Sequence, residues 1–278
     1  GGDVSVDEDD LLASRGAGEA AGSDTSKEST TQGGTFTITA GDGVDDLTIG
    51  GNAFITNGVF TAGSFTTALG NTLSVTAYNA GTGVVSYTYT LLDNEAHAAA
   101  NGENALFENF AVHLTDTDTG VADSTLSVRI VDDVPTAEAD VDKTTSGTAN
   151  GNVILGTGMT GGVADIAGAD GLASPAVVGV STSAGSITDG TGVGGVVASA
   201  KGTLTLGADG AFTYTKTDAE ATGTDTFYYT IIDKDGDPST TTLTINLDSN
   251  PTITNLTPQG SGGDVSVDED DLLASRGA

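Results

Sequence analysis

The stretch STLSVRIVDDVPTA (Ser124–Ala137) decides how the chain reads. Leu126, Val128 and Ile130 alternate with Ser127 and Arg129, the two-residue period of a half-buried strand. Two aspartates end the run. Pro135 follows, with its φ fixed and no N–H to offer a ladder. A second stretch, TTLTINLDSNPTI (Thr241–Ile253), repeats the formula with Leu243, Ile245 and Leu247, then Asp248, then Pro251. The likeness extends upstream, where DTDTGVAD (Asp116–Asp123) and DKDGDPST (Asp233–Thr240) each lead into the final strand from an Asp-x-Asp turn. Two related domains are therefore expected, residues 1–135 and 136–251. They are joined by short, proline-stiffened connections rather than Gly/Ser linkers.

A longer repeat frames the pair. Residues 1–17, GGDVSVDEDDLLASRGA, recur unchanged as residues 262–278, an offset of 261 positions. This predicts a tandem array, with 252–278 holding a linker and the start of the next unit. The chain is then expected to be an internal piece of a longer protein. Short runs rich in Thr, Val and Ile, about seven per domain, read as strands. They are expected near Asp3–Val6, Thr35–Thr39, Ala53–Thr56, Leu73–Tyr78, Val84–Leu91, Phe107–Leu114 and Thr125–Val131. In the second domain they are expected near Ala139–Asp142, Val153–Leu155, Val177–Thr182, Thr203–Leu206, Ala211–Thr215, Phe227–Ile232 and Thr242–Leu247. LGADGAFTYT (Leu206–Thr215) carries a hairpin signal at Asp209–Gly210. No stretch has a 3.6-residue apolar period, and Asn94–Asn104 reads as a loop. The expected fold is all-β: two immunoglobulin-like, or cadherin-like, β-sandwich domains in series.

Composition narrows the function. Eight Lys+Arg against 39 Asp+Glu give a formal charge of -31, which disfavours nucleic acid and anionic membranes as partners. The absence of cysteine removes disulfides and thiolate metal sites. With two histidines, His97 and His113, a multi-histidine centre cannot form. Neither sits in a triad setting, and no G-x-S-x-G elbow or phosphate loop occurs, so no enzyme is expected.

The carboxylates are clustered. Asp7, Glu8 and Asp9 follow the first strand, and Asp268 and Glu269 belong to its copy. Asp132 and Asp133 end the first domain, with Asp140 just across Pro135. Asp116 and Asp118 occupy one Asp-x-Asp loop, Asp233, Asp235 and Asp237 the other, and Asp248 ends the last strand. Charges this close cannot all stay ionised inside a fold without a cation. A hard divalent ion with six to eight oxygen ligands resolves the conflict, and calcium tolerates irregular cages better than magnesium. Several Ca2+ ions are therefore expected, at domain ends and linkers. The DKDGD spacing is not that of an EF-hand loop. GDGVDDL (Gly41–Leu47) fits one nonapeptide of a calcium β-roll, but a single copy cannot stack and reads as an Asp/Gly turn. Asp93, Glu95, His97 and Glu103 gather in one loop with the residue types to coordinate a metal, but the preferred reading of His97 is a lone surface histidine.

STLSVRIVDDVPTA and DTFYYTIIDKDGDPSTTTLTI resemble the repeats of large bacterial adhesins exported by type I secretion, the RTX adhesins. LLDNEAHAAANGEN with HLTDTDTGVADSTLSVRIVDDVP is similar to one repeat type of those proteins. GTLTLGADGAFTYTKTDAEATGTDTFYYTIIDKDGD is similar to bacterial cadherin-like repeats. The resemblance implies β-sandwich extender domains on the bacterial cell surface, held rigid by calcium and projecting a distal adhesive region for attachment or biofilm formation. DTDTG at Asp116–Gly120 departs from the family's D-x-D-G-D, which implies a site there that is weaker or uses other ligands. The expected partners are neighbouring repeats of the same chain, with no nucleic acid, no membrane insertion and a monomeric fragment. The alternative is a calcium-dependent carbohydrate- or receptor-binding module, for which Phe54, Phe60 and Phe65 are the candidate aromatics.

Overall fold

The computed structural model describes residues 3–15, 20–25, 29–98 and 102–248. The first half contributes ten strands. These are β1 (Val4–Asp7), β2 (Thr31–Thr37), β3 (Val44–Ile49), β4 (Asn52–Thr56), β5 (Val59–Phe60), β6 (Gly63–Thr66), β7 (Thr72–Asn79), β8 (Val84–Thr90), β9 (Ala105–Asp116) and β10 (Val121–Val131). They form a six-stranded sheet, β1-β10-β9-β3-β4-β5, and a four-stranded one, β2-β8-β7-β6. The second half contributes β11 (Asp140–Lys143), β12 (Thr148–Asn152), β13 (Leu172–Ser181), β14 (Val196–Ala198), β15 (Gly202–Leu206), β16 (Ala211–Lys216), β17 (Gly223–Asp233) and β18 (Pro238–Leu247). Its sheets are β11-β18-β17-β13 and β12-β16-β15-β14. No α-helix occurs among the described residues; Glu8–Asp10 and Ala13–Arg15 are single 3-10 turns. The protein is all-β, and each half is a β-sandwich.

Alternation builds each core. β8 buries Val85, Tyr87 and Tyr89, and β10 buries Leu126, Val128 and Ile130, with polar residues between them on the outer face. Leu243, Ile245 and Leu247 of β18 do the same in the second sandwich. Each sandwich has its own apolar cluster, but Ala169 from the second half packs into the first.

The register of the first and last strands positions the acidic residues. β1 runs parallel to β10, pairing Asp7 with Val131, so Glu8 and Asp132 emerge side by side at one end. In the second half β11 likewise runs parallel to β18. The β17–β18 turn presents Asp233–Asp237, and pairing of Leu172 with Asp233 brings Asp170 to the same place.

Three local expectations need correction. Val153–Leu155 is a turn, and the strand there is β12, one step earlier. The Asn152 Oδ1 accepts the Leu155 N–H at 2.9 Å and turns the chain, while Val153 is buried from the turn itself. Within Gly41–Leu47 only Gly41–Gly43 turns, with Gly43 at φ +102°, and β3 starts at Val44. Burial of Leu47 and Ile49, with β3 paired to both β9 and β4, outweighs the local turn signal. Strands β5, β6 and β14, of two to four residues, lack enough alternation to be legible. The Leu206–Thr215 hairpin forms as expected, with Leu206 opposite Phe212 and Gly210 at φ +82°.

Candidate metal centre

Where the two sandwiches meet, carboxylates from both converge. Asp132, Asp235 and Asp237 have ligand atoms within 4.8 Å of one another, as do Asp170, Asp233 and Asp235, and Glu8, His97 and Asp132. Asp132 and Asp235 each belong to two groups, so the three form one chain of sites. Glu8, Asp233 and Asp237 are fully buried, and Asp132 and Asp170 nearly so.

The loop after β8 wraps this cluster. The Glu95 N–H donates to Glu8 Oε1 at 2.7 Å and the His97 N–H to Asp235 Oδ2 at 3.1 Å. The Gly102 N–H donates to Asp237 Oδ1 at 2.6 Å. Asn94 Nδ2 reaches Asp170 Oδ1 at 2.6 Å, and Asn104 Nδ2 reaches Asp132 Oδ2 at 3.1 Å. Asp233 Oδ1 accepts from its own turn, the N–H groups of Gly236 and Asp237. Each carboxylate thus spends one oxygen on orientation. The other oxygens, Glu8 Oε2, Asp132 Oδ1, Asp170 Oδ2, Asp233 Oδ2, Asp235 Oδ1 and Asp237 Oδ2, are buried with no hydrogen-bond partner. An unsatisfied buried charge is costly, and a cation is the physical remedy.

Electrostatics agree. Burial pushes Glu8, Asp132 and Asp233 each up to about 7, and raises Asp170. Burial opposes the charge on His97, but its hydrogen bond to Glu8 and the negative charges of Glu8 and Asp132 outweigh that and lift it to about 9. The donor set, all oxygen apart from one imidazole, suits a hard divalent cation such as calcium.

The other expected residues lie as follows. Asp7 caps the Glu8–Asp10 turn, accepting the Asp9 N–H at 3.3 Å, and with Asp9, Asp132 and Asp133 lines an acidic cleft beside the cluster. Asp133 Oδ2 accepts the N–H groups of Ser23 and Ala169, both at 2.8 Å, which ties the two halves together. Asp140 is buried away from the cluster, its oxygens taken by the Val163 N–H and the Tyr229 hydroxyl. Asp116 and Asp118 form an exposed group with Asp42. There Asp116 Oδ1 accepts the Gly120 N–H as Asp233 Oδ1 accepts that of Asp237, so the two turns share one geometry. Asp248 is engaged by the Thr144 hydroxyl and lies 4.0 Å from Lys216 Nζ. Asp268 and Glu269 lie outside the described residues.

Two members were not expected. Asp170 lies in AGADGL (Ala167–Leu172), whose Asp-Gly pair signals only a turn. His97 has a fully buried side chain, contrary to its reading as a surface histidine. Its ring lies against Glu8 and Asn104, and its backbone N–H reaches Asp235 of the second half, contacts that no local pattern reveals. Phe54, Phe60 and Phe65 pack against the first core, with Phe65 and Phe110 ring centroids 5.8 Å apart.

No protein-family model matches the chain, and no curated protein sequence matches it. Among solved structures, the N-terminal eight Ig domains of the Down syndrome cell adhesion molecule align at 12% identity over 82% of this chain, with a TM-score of 0.25. Extracellular cadherin domains 1-5 of protocadherin gamma B2 align at 13% identity over 91%, with a TM-score of 0.27. The chain spans 27% of the first structure and 41% of the second. Likenesses this weak carry no argument, and the β-sandwich description rests on the sheets themselves.

Proposed function

We propose that this chain is a non-enzymatic, calcium-rigidified spacer of a bacterial cell-surface adhesin, one unit of a tandem array that projects a distal adhesive region. The observation that carries the calcium reading is the set of buried, partnerless carboxylate oxygens drawn from both sandwiches. A cation bound there is a ligand of both halves at once, so filling the cluster stiffens the joint and emptying it restores charge repulsion. The resemblance of the last-strand and DKDGD motifs to RTX adhesin repeats supplies the cellular setting. Calcium sites of extracellular modules typically fill at about 10⁻⁴–10⁻³ M, so the joint would stay loose in the cytosol and stiffen outside.

Small-angle scattering in millimolar calcium and in excess chelator tests the proposal. The expected result is a rod whose radius of gyration and maximum dimension change on chelation. Superimposable profiles, together with a flat calcium isotherm, would refute it.

A further inference from the structure

We propose that Glu8, His97 and Asp132 form a separate site for a first-row transition-metal dication, Zn2+ in the first instance, at the first-sandwich end of the acidic cluster. The inference stands beside the calcium reading and shares Asp132 with it. His97 is the only nitrogen ligand in the three groups at the junction, and its side chain is fully buried. Imidazole is a poor ligand for calcium and a good one for zinc, copper, iron or nickel.

The imidazole is oriented for this role. The two N–H groups of Asn104 Nδ2 are shared among the carbonyls of Ala98 and Gly102 and Asp132 Oδ2, which fixes the amide with Oδ1 towards His97. That oxygen lies 3.3 Å from His97 Nδ1 and can only accept, so Nδ1 carries the proton. Nε2 is thereby turned towards Glu8, 3.2 Å from Oε1, and the proton it donates to that carboxylate is the one a bound dication displaces. Two ligands of a tetrahedral zinc stand about 3.3 Å apart, given bonds of about 2.0–2.1 Å. Such support of the far ring nitrogen is the usual mark of a metal-bound histidine. The second observation is on the carboxylates: Glu8 Oε2 and Asp132 Oδ1 are buried and lack partners, and both residues belong to one group with His97. Three protein ligands leave a fourth place for water.

The test uses the full chain, saturated with calcium and titrated with ZnCl2, with both metals quantified after dialysis. The expected result is one zinc bound without release of calcium. His97→Gln should lower zinc affinity at least tenfold, whereas His113→Gln, at the exposed pair with Asp123, should leave it unchanged. The calcium isotherm of His97→Gln serves as its folding control. In wild-type protein loaded with Co2+, proton NMR should show one exchangeable, hyperfine-shifted N–H resonance, from Nδ1. Zinc that fails to bind, binds equally well to His97→Gln, or displaces calcium ion for ion would overturn the proposal, as would the absence of that resonance. A chain that binds zinc through His97 but no calcium would uphold this site and refute the calcium reading.

Discussion

Replacing Asp235 by Asn should change the sign of its effect on stability according to whether calcium is present. Asp235 belongs to two of the three junction groups, and its charge raises the carboxyls of Asp132, Asp170 and Asp233. An Asn side chain has nearly the same shape and keeps an oxygen for the His97 N–H. In chelator, the substitution removes one of several crowded charges. A like pair at 4 Å repels by about 4 kcal/mol at an effective dielectric of 20. Partial protonation of the raised carboxyls reduces this to about 1 kcal/mol of net stabilisation. In saturating calcium, the substitution removes an anionic ligand shared between two ions. A tenfold loss of affinity at each is about 1.4 kcal/mol, and about 3 kcal/mol together. At about 2–4 °C per kcal/mol, Tm should rise by about 2–4 °C in chelator and fall by about 6–12 °C in calcium. Thermal melts of wild type and Asp235→Asn in both buffers, read by near-UV circular dichroism, measure the two shifts. Destabilisation of similar size in both buffers would refute the reasoning, because it would make Asp235 an ordinary hydrogen-bonding residue.

Two further outcomes are expected. Burial, reinforced by the charges of Asp140 and Glu138, pushes Asp165 from 3.8 up to about 7. Because the folded value lies above the unfolded one, its stabilising effect is complete below pH ~4 and is lost as the pH rises to ~7. Asp165 keeps some solvent contact, so after screening the loss is about 1–2 kcal/mol. Asp165→Asn should flatten that stretch of the urea midpoint against pH in chelator, and an undiminished slope would contradict the assignment. Gly202 and Gly34 lie under the Tyr214 and Tyr87 rings, leaving no room for a Cβ. Tyr214 must also keep its 2.8 Å bond to buried Asp225, so Gly202→Ala should cost about 2–4 kcal/mol and more than Gly34→Ala. Urea titrations rank the two, and the reverse order would count against this packing account.

Strand alternation was legible because its period of two is local. Leu126-x-Val128-x-Ile130 needs no partner to declare which face is buried, and neither does Leu243-x-Ile245-x-Leu247. The Asp-Gly hairpin tip at Asp209–Gly210 was readable for the same reason. The crowding of aspartates beside Pro135 and in Asp233–Asp237 was legible too, since charges close in sequence are close in space, and it is the ground on which a cation was expected. What sequence could not supply was the sharing of those charges between domains. The parallel pairing of β1 with β10 sets Glu8 beside Asp132 across more than a hundred residues, and pairing of β13 with β17 adds Asp170. The loop after β8 meets the second sandwich at Asp170, Asp235 and Asp237, the His97 side chain is buried against Glu8 and Asn104, and Asp140 is engaged elsewhere by Val163 and Tyr229. Local periodicity determined the strands and the acidic turns. Only register and docking, which depend on contacts between distant residues, decided which carboxylates meet and which keep a free oxygen.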